Sequence, residues 1–384
     1  MSWTECSVVD QRKMIVALAK SPDANMAQLA RQFGVSRKTL YKWVARAEPC
    51  SKLSDDWARD RSRRPHSSPW RTNKRTEDLV AQLRGEHPAW GPRKIHDLLA
   101  RHKPAVAVMP SVSTVAAILK RLGLVELQES LKRKEFVRFE KSQPNELWQM
   151  DFKGPFAVGN GRCHPLTILD DHSRFGLGVC ALPGETGQLT RPALIEVFRR
   201  YGLPDWMLLD NGSCWGRVGT LYTAFTAWLL RLGIRVSYSR PFHPQTRGKN
   251  ERFNRTLKAE AIDGRHFGSL EQWQSEFDRF LITYNTIRPH EALDMAVPAS
   301  RYRVSSRLYP EQLEPIEYLE GDTIRRVGPA GYISWGKQRF QVGRAFSGQP
   351  VAMRPTNIDG VYEVFYCYQR VAIVNRHDIS CEQT

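Results

Sequence analysis

The chain has 384 residues, with 57 Lys and Arg against 40 Asp and Glu, and a formal charge of +17. That length holds more than one domain and a sizeable core, and the charge excess, concentrated in residues 1–140, points to a polyanionic partner, of which nucleic acid is the common one. No apolar run approaches the roughly 20 residues of a membrane helix; the seven cysteines are scattered, with no CxxC pair or Cys/His cluster, which argues against a zinc finger and fits a reducing cytoplasm.

Residues 1–50 read as a helix-turn-helix domain. The second helix is expected over about Met26–Phe33 and the third over about Arg37–Ala47. Ala30 is small enough for close helix approach, Gly34 permits a turn with positive φ, and Ser36 is a good N-cap. Leu40 and Trp43 lie three apart and face the core, leaving Arg37, Lys38 and Lys42 outside, where the last helix can meet DNA. An ordinary three-helix bundle with a solvated basic face is the plainer reading, and the basic context favours DNA. Residues 51–75, with DRSRRPHSSPWRTNKR, are rich in Arg, Pro and Ser and lack apolar periodicity, so they read as an extended basic linker.

Residues 76–130 resume helices and look like a second, weaker helix-turn-helix. One helix carries TEDLVAQL, a second starts near Pro92, and a third opens at PSVST with Val115, Ile118, Leu119 and Leu122 as its apolar stripe. Arg93, Lys94 and Lys120 are its candidate phosphate contacts.

After a charged connector, residues 142–300 form an α/β region. In LWQMDF, Trp148, Met150 and Phe152 alternate with Gln149 and Asp151, the period of a strand. CHPLTILDD and FGLGVCAL are two more strands, so the three suggest an antiparallel meander. TRPALIEVFRRYG is an amphipathic helix, WMLLD a short buried strand, residues 218–232 helical, GIRVSYS a strand, and 249–262 helical. The order predicts a mixed sheet with helices on its faces.

Three acids stand where this pattern brings strand and helix ends to one edge. Asp151 follows the first strand's aromatics, Asp210 ends WMLLD before Asn211-Gly212, and Glu251 opens a basic helix. Carboxylates gathered at one place repel and need a countercharge. An all-oxygen set suits a hard cation such as magnesium, which bridges phosphates, so the trio points to two-metal phosphodiester chemistry. Lys249, Arg255 and Lys258 accompany Glu251, the last two on its own face, as DNA contacts. Asp170 and Asp171 end the second strand beside HSR, where Asp170 fails the test that metal ligands must converge; Asp205 is read as lying at the wrong strand end, and Glu260 as pairing with a surface cation. His243 is a candidate phosphate contact, and Trp148, Trp206, Trp228 and Trp273 are read as core.

FGSLEQWQSEFDRFLITYNTIRPHEAL reads as a long amphipathic helix packed on this core. Residues 300–320 are irregular, and 315–384 alternate strands and Gly-bearing turns, which predicts a small β-barrel. Lys337, Arg339 and Arg344 are its candidate DNA contacts, with a purely structural role equally open.

WQMDFKG, LTILDDHSRF, YGLPDWMLLDNGS, HPQTRGKNERFNRTLK and IRPHEAL resemble bacterial insertion-sequence transposases of the Asp-Asp-Glu type with a retroviral-integrase-like core. The resemblance covers about residues 142–300 and implies a ribonuclease-H-like α/β core with a mixed five-stranded sheet, preceded by all-α helix-turn-helix units and followed by a small β-barrel. It implies Asp151, Asp210 and Glu251 as catalytic ligands of two Mg2+ ions, with Mn2+ able to substitute. It also implies double-stranded DNA, as element ends and target, for a partner, and a homodimer or higher oligomer on paired ends in the bacterial cytoplasm at the nucleoid. The expected activity is 3′-end cleavage followed by strand transfer. Rival expectations are a DNA-binding regulator with an inactive core and a nuclease that does not join. The 212–219 segment adds spacing between Asp210 and Glu251 relative to retroviral integrases, and helix-turn-helix units stand in place of their zinc module.

Overall fold

The computed structural model describes residues 7–48, 56–63, 71–101, 108–125, 140–210, 214–217, 221–238, 248–336 and 338–377. The chain divides into two compact units, Met1–Arg71 and Thr72–Thr384.

In the first unit three helices, α1 (Val8–Ala19), α2 (Met26–Gln32) and α3 (Arg37–Ala47), each begin at a side-chain cap. Ser7 accepts from the Asp10 amide, Asn25 from Ala27 and Gln28, and Ser36 from Thr39. Gly34 at φ +62° turns α2 into α3. Ile15, Val16, Ala30, Leu40 and Trp43 close the core, while Arg37, Lys38 and Lys42 are exposed along α3. Part of the stretch expected to be an extended linker is folded. Asp56–Ala58 forms a 3-10 turn, Ala58 is buried, and Arg12 donates to the Ala58 carbonyl and to Asp60. The Arg12 guanidinium also lies 4.1 Å over Trp43. That arginine gives the turn a partner that composition alone does not reveal.

The second unit starts with α4 (Lys74–Glu86), α5 (Pro92–Arg101) and α6 (Val112–Arg121), capped at Asn73 and Ser111. Val80, Leu83, Trp90, Ile95, Leu99, Val115 and Ile118 are buried between them.

The α/β core follows. Its strands are β1 (Trp148–Phe152), β2 (Phe156–Val158), β3 (Gly161–Asp170), β4 (Gly176–Leu182), β5 (Trp206–Leu209) and, after a two-residue pair β6 (Gly216–Arg217) and β7 (Leu221–Tyr222), β8 (Arg235–Tyr238). The six-stranded sheet runs β4-β3-β1-β5-β8, with short β2 on β3 as the strand beyond the five expected. The β1, β3 and β4 meander is antiparallel, whereas β1-β5 and β5-β8 are parallel. This is the mixed sheet of a ribonuclease-H-like core.

Helices α7 (Gly187–Tyr201) and α8 (Ala224–Arg231) cover one face with Leu194, Phe198, Phe225, Trp228 and Leu229, against Trp148, Met150, Leu166 and Ile168 of the sheet. Helix α8 starts later than the 218–232 pattern suggests, because Thr223 and Thr226 form a capping box. The other face is covered by α9 (Gly248–Leu257) and α10 (Leu270–Ile282) through Phe253, Leu257, Trp273, Phe277 and Phe280, against Cys163, Leu169 and Val179. Helix α9 continues as a π-helical turn, Lys258–Ile262.

The long helix expected after residue 267 is shorter. Helix α10 ends at Ile282, a π-helical turn spans Thr283–Ile287, and only a 3-10 turn, Glu291–Leu293, follows. Pro289 has no N–H to continue the helix, and Arg288 instead pairs with Glu260, both 11% exposed. Glu260 thus pairs with a cation as expected, but the pair is largely buried rather than at the surface.

The last region holds β9 (Thr323–Arg326), β10 (Tyr332–Trp335), β11 (Gln338–Gln341), β12 (Pro350–Pro355), β13 (Val361–Tyr366) and β14 (Gln369–Asn375). The described pairings make an antiparallel sheet, β14-β13-β12-β9, and a β10-β11 hairpin, and their ladders alone do not establish the small β-barrel expected. The hairpin lies with β10 beside β9 and β11 beside β14, held by packing and turn hydrogen bonds rather than by a ladder. Val327, Ile333, Phe346, Val351 and Val364 pack with Ala227 and Leu230 of α8, so this sheet is seated on the α/β core. No described helix is long and apolar enough to cross a membrane.

Candidate active site

Strand alternation decides where Asp151 points. Trp148 and Met150 enter the α7/α8 core, so Gln149 and Asp151 take the opposite face, under α9 and α10. Asp151 stands opposite Thr167 of β3, whose hydroxyl donates to its carbonyl at 3.0 Å. On the other side β5 pairs in parallel, with Gln149 opposite Leu208. The same register carried two residues further sets Asp151 beside Asp210, about 5 Å away between Cα atoms. Met207 and Leu209 belong to the α7/α8 core, so Asp210 shares the α9 face with Asp151.

Helix α9 brings the third acid. Its inner side, Asn250, Phe253, Thr256 and Leu257, is buried, which leaves Glu251 and Arg255 exposed. Asn254, one turn after Glu251, donates from Nδ2 to Asp151 Oδ2 at 3.1 Å. Its own Oδ1 is buried with no partner among the described residues. Asn254 was not singled out from the sequence, although its i+3 spacing from Glu251 carries that signal.

Among the described residues no three Asp, Glu, His or Cys side chains close into a group that could hold a metal ion. Glu251 extends from the exposed side of its helix. The donor chemistry nevertheless fits a hard divalent ion: the acids provide only oxygen, and the Asn254 carbonyl is an unsatisfied oxygen beside Asp151.

The neighbouring acids have other partners. Asp170 accepts from the Asn145 amide and from the Ser173 amide and hydroxyl. Burial raises its pKa, and those bonds, led by Ser173, oppose the rise. Asp171 is fully buried and meets Lys249 at 2.6 Å. Lys249, expected on DNA, is therefore committed inward; burial and then Arg174 pull its amine down to about 8, against Asp171. Asp205 sits at the start of β5 with Arg307 at 3.1 Å.

The other predicted DNA contacts divide. Arg255 is exposed, and Lys258 is exposed with Asp263 at 3.2 Å. Lys94 is half-buried; burial and then Arg288 lower it to about 8, with Glu260 and Glu291 opposing. Arg93 is 66% exposed and 3.9 Å from Glu291. Helix α5 thus turns these cations toward the α/β core, because Ile95, Leu98 and Leu99 hold its opposite face in the helical core. Lys120 is exposed on α6, and Arg339 lies on β11. Asn211, Gly212, His243 and Lys337 lie outside the described residues. Trp148, Trp228 and Trp273 are core, and Trp206 is half-buried with Lys141 5.3 Å from its ring.

Comparison with known proteins gives the same order of parts. Two integrase core domain models match residues 141–244 and 232–298. The model of the IS481 family transposase C-terminal domain matches 322–380, and a homeodomain-like domain model matches 39–119, from α3 through α6. The chain is 27% identical to the 39.2 kDa protein of insertion element IS476 from Xanthomonas euvesicatoria, over 57% of this chain and 62% of that protein's length. It is 23% identical to the 31.7 kDa protein of insertion element IS407 from Burkholderia multivorans, over 59% of this chain and 81% of that protein. Among solved structures, the HTLV-2 integrase catalytic core domain in complex with magnesium is similar at 19% identity, covering 42% of this chain and 97% of that one, with a TM-score of 0.33. The simian T-cell lymphotropic virus intasome in complex with the PP2A regulatory subunit B56 gamma is similar at 18%, covering 76% and 99%, with a TM-score of 0.37. The chain thus has regions that match integrase core domain models and an IS481 family transposase C-terminal domain model, and it resembles insertion-element proteins.

Proposed function

We propose that the chain is a transposase that binds the ends of its own element, cuts each to free a 3′-hydroxyl, and joins that end to target DNA. The observation that carries this reading is the placement of Asp151 and Asp210 on neighbouring parallel strands, with α9 laid against them through the Asn254–Asp151 bond. In the first step a water oxygen bonds to phosphorus as the P–O3′ bond breaks, leaving a 3′-hydroxyl and a 5′-phosphate. In the second that hydroxyl attacks a target phosphorus and displaces the target's own 3′-oxygen. Two Mg2+ ions, or Mn2+ in their place, held by Asp151, Asp210 and Glu251, would supply water activation and stabilisation of the leaving oxygen.

The protein's part is positional and electrostatic. Asn254 keeps the Asp151 carboxylate turned to the α9 face, and α9 carries Glu251 one turn before Asn254. Arg255 and Lys258 meet the flanking phosphates, whose charge they offset. Arg37, Lys38 and Lys42 on α3 place the element end, with the second helical unit assisting. The division of labour follows residues 1–50, 76–130, 142–300 and 315–384, with 51–75 as the connector and the last region as a barrel-like module. One triad per chain and two ends per element call for at least a homodimer, acting at the nucleoid of a bacterial cytoplasm.

The test uses the full chain, duplexes made from the DNA flanking its coding region, and Mg2+ or Mn2+. D151N, D210N and E251Q are expected to bind the duplex as the unaltered chain does and to lose nicking and joining. Cleavage retained by all three variants sinks the assignment. Binding without nicking by the unaltered chain replaces it with a regulator, and nicking without joined products with a nuclease.

A further inference from the structure

We propose that the buried Asp171–Lys249 pair is the anchor that sets Glu251 against Asp151, making Asp171, Lys249 and Gln149 positioning residues of the active site; this rests on the triad assigned above. Asp171 follows the C-terminal end of β3 and has no exposed surface. Its Oδ1 accepts from Lys249 Nζ at 2.6 Å and from Gln149 Nε2 at 2.8 Å, and its Oδ2 accepts from the Lys141 amide at 2.8 Å. Lys249 Nζ also donates to the Asp171 carbonyl at 2.9 Å.

The two side chains that meet on Oδ1 come from the two elements that must be aligned. Gln149 lies two residues before Asp151 on β1 and on the same strand face. Lys249 lies two residues before Glu251 in the first turn of α9. One carboxylate therefore ties the strand of the first acid to the helix of the third. Asn254 makes a second tie to Asp151 about one turn further along. One tie leaves a helix free to pivot, whereas two set both its position and its direction.

Helix stability does not explain Lys249. A cation in the first turn opposes the helix dipole, and a buried ion pair is on average no more stabilising than apolar side chains of the same shape. What the pair adds is register. A slip of one residue along α9 moves Lys249 by about 1.5 Å and turns it by about 100°, which breaks both its bonds to Asp171. An apolar contact would tolerate that slip.

The test compares K249M, K249R and the double variant D171N/K249M in the full chain. Hydrogen–deuterium exchange reads α9, and nicking of a supercoiled plasmid carrying the flanking DNA in Mn2+ reads the site. Both K249M and the double variant are expected to exchange the α9 amides roughly tenfold faster while β12, β13 and β14 keep their protection. Nicking falls in step, binding of the flanking duplex is unchanged, and K249R recovers most of both. The double variant leaves no charge unpaired, so it decides the matter even where K249M folds poorly. α9 protection within about twofold of the unaltered chain in both variants overturns the proposal. So does a uniform loss of protection across the sheet, which would make the pair a general stabiliser. Absence of nicking by the unaltered chain defeats the triad reading alone, and the exchange result still decides the anchor.

Discussion

Replacing Phe253 with alanine tests whether α9 is seated as described. Phe253 has no exposed surface and lies two residues after Glu251 and one before Asn254. Its ring meets Tyr284 edge-on at 4.8 Å and Phe280 at 5.8 Å, among Leu257, Trp273 and Phe277. Truncation of a buried Phe costs about 3–5 kcal/mol, because the cavity closes only in part. The lost aromatic pairs are about 0.5–1.5 kcal/mol of that each. At about 2–4 °C per kcal/mol for a domain of this size, the α/β unit should melt roughly 6–20 °C lower. Calorimetry on the full chain reads this, with the separate Met1–Arg71 unit as internal reference. Phe253→Leu keeps most of the volume and should cost about 1.5 kcal/mol or less. Because the cavity lies under the turn that carries Glu251 and Asn254, nicking should fall along with stability. A loss under about 1 kcal/mol for Phe253→Ala would refute the seating of α9 on this core.

Three further outcomes are expected. Burial and then Arg288 push His290 from 6.5 down to about 3, so between those values the unfolded chain binds the proton and the folded chain does not. Its contribution to stability is whole above pH 6.5 and is lost as pH falls toward 3; His290→Gln should flatten the stability–pH slope in that window, and unchanged slopes would count against it. Gly202 sits at φ +75°, where a Cβ would lie 2.8 Å from the carbonyl oxygens of Ser305 and Arg307. Gly202→Ala should therefore cost about 1–3 kcal/mol in urea unfolding, and neutral behaviour would show that residues 305–307 do not cross there. Arg12→Met removes the stacking on Trp43 and the bond to the Ala58 carbonyl. It should destabilise the first unit by about 1–2 kcal/mol and speed proteolysis near Asp56–Asp60; cleavage at the original rate would contradict that contact.

The sequence by itself determined the elements and the faces they bury. Alternation in WQMDF puts Asp151 opposite Trp148 and Met150 because a strand has period two, and Ser36 with Leu40 and Trp43 marks α3 because caps and helical spacing are local chemistry. The positions of the three acids on their elements were legible for the same reason, each standing near the end of a strand or the start of a helix. Only the tertiary structure decided what the charged side chains meet. Lys249 and Lys94 look like phosphate contacts in sequence, yet one is drawn to buried Asp171 and the other against the α/β core. Glu260 turns inward to Arg288, Asn254 reaches Asp151, and the helix after residue 267 stops where Arg288 and Pro289 leave it. A side chain's partner can come from anywhere along the chain, and a local pattern holds no record of which distant residue the packing brings to it.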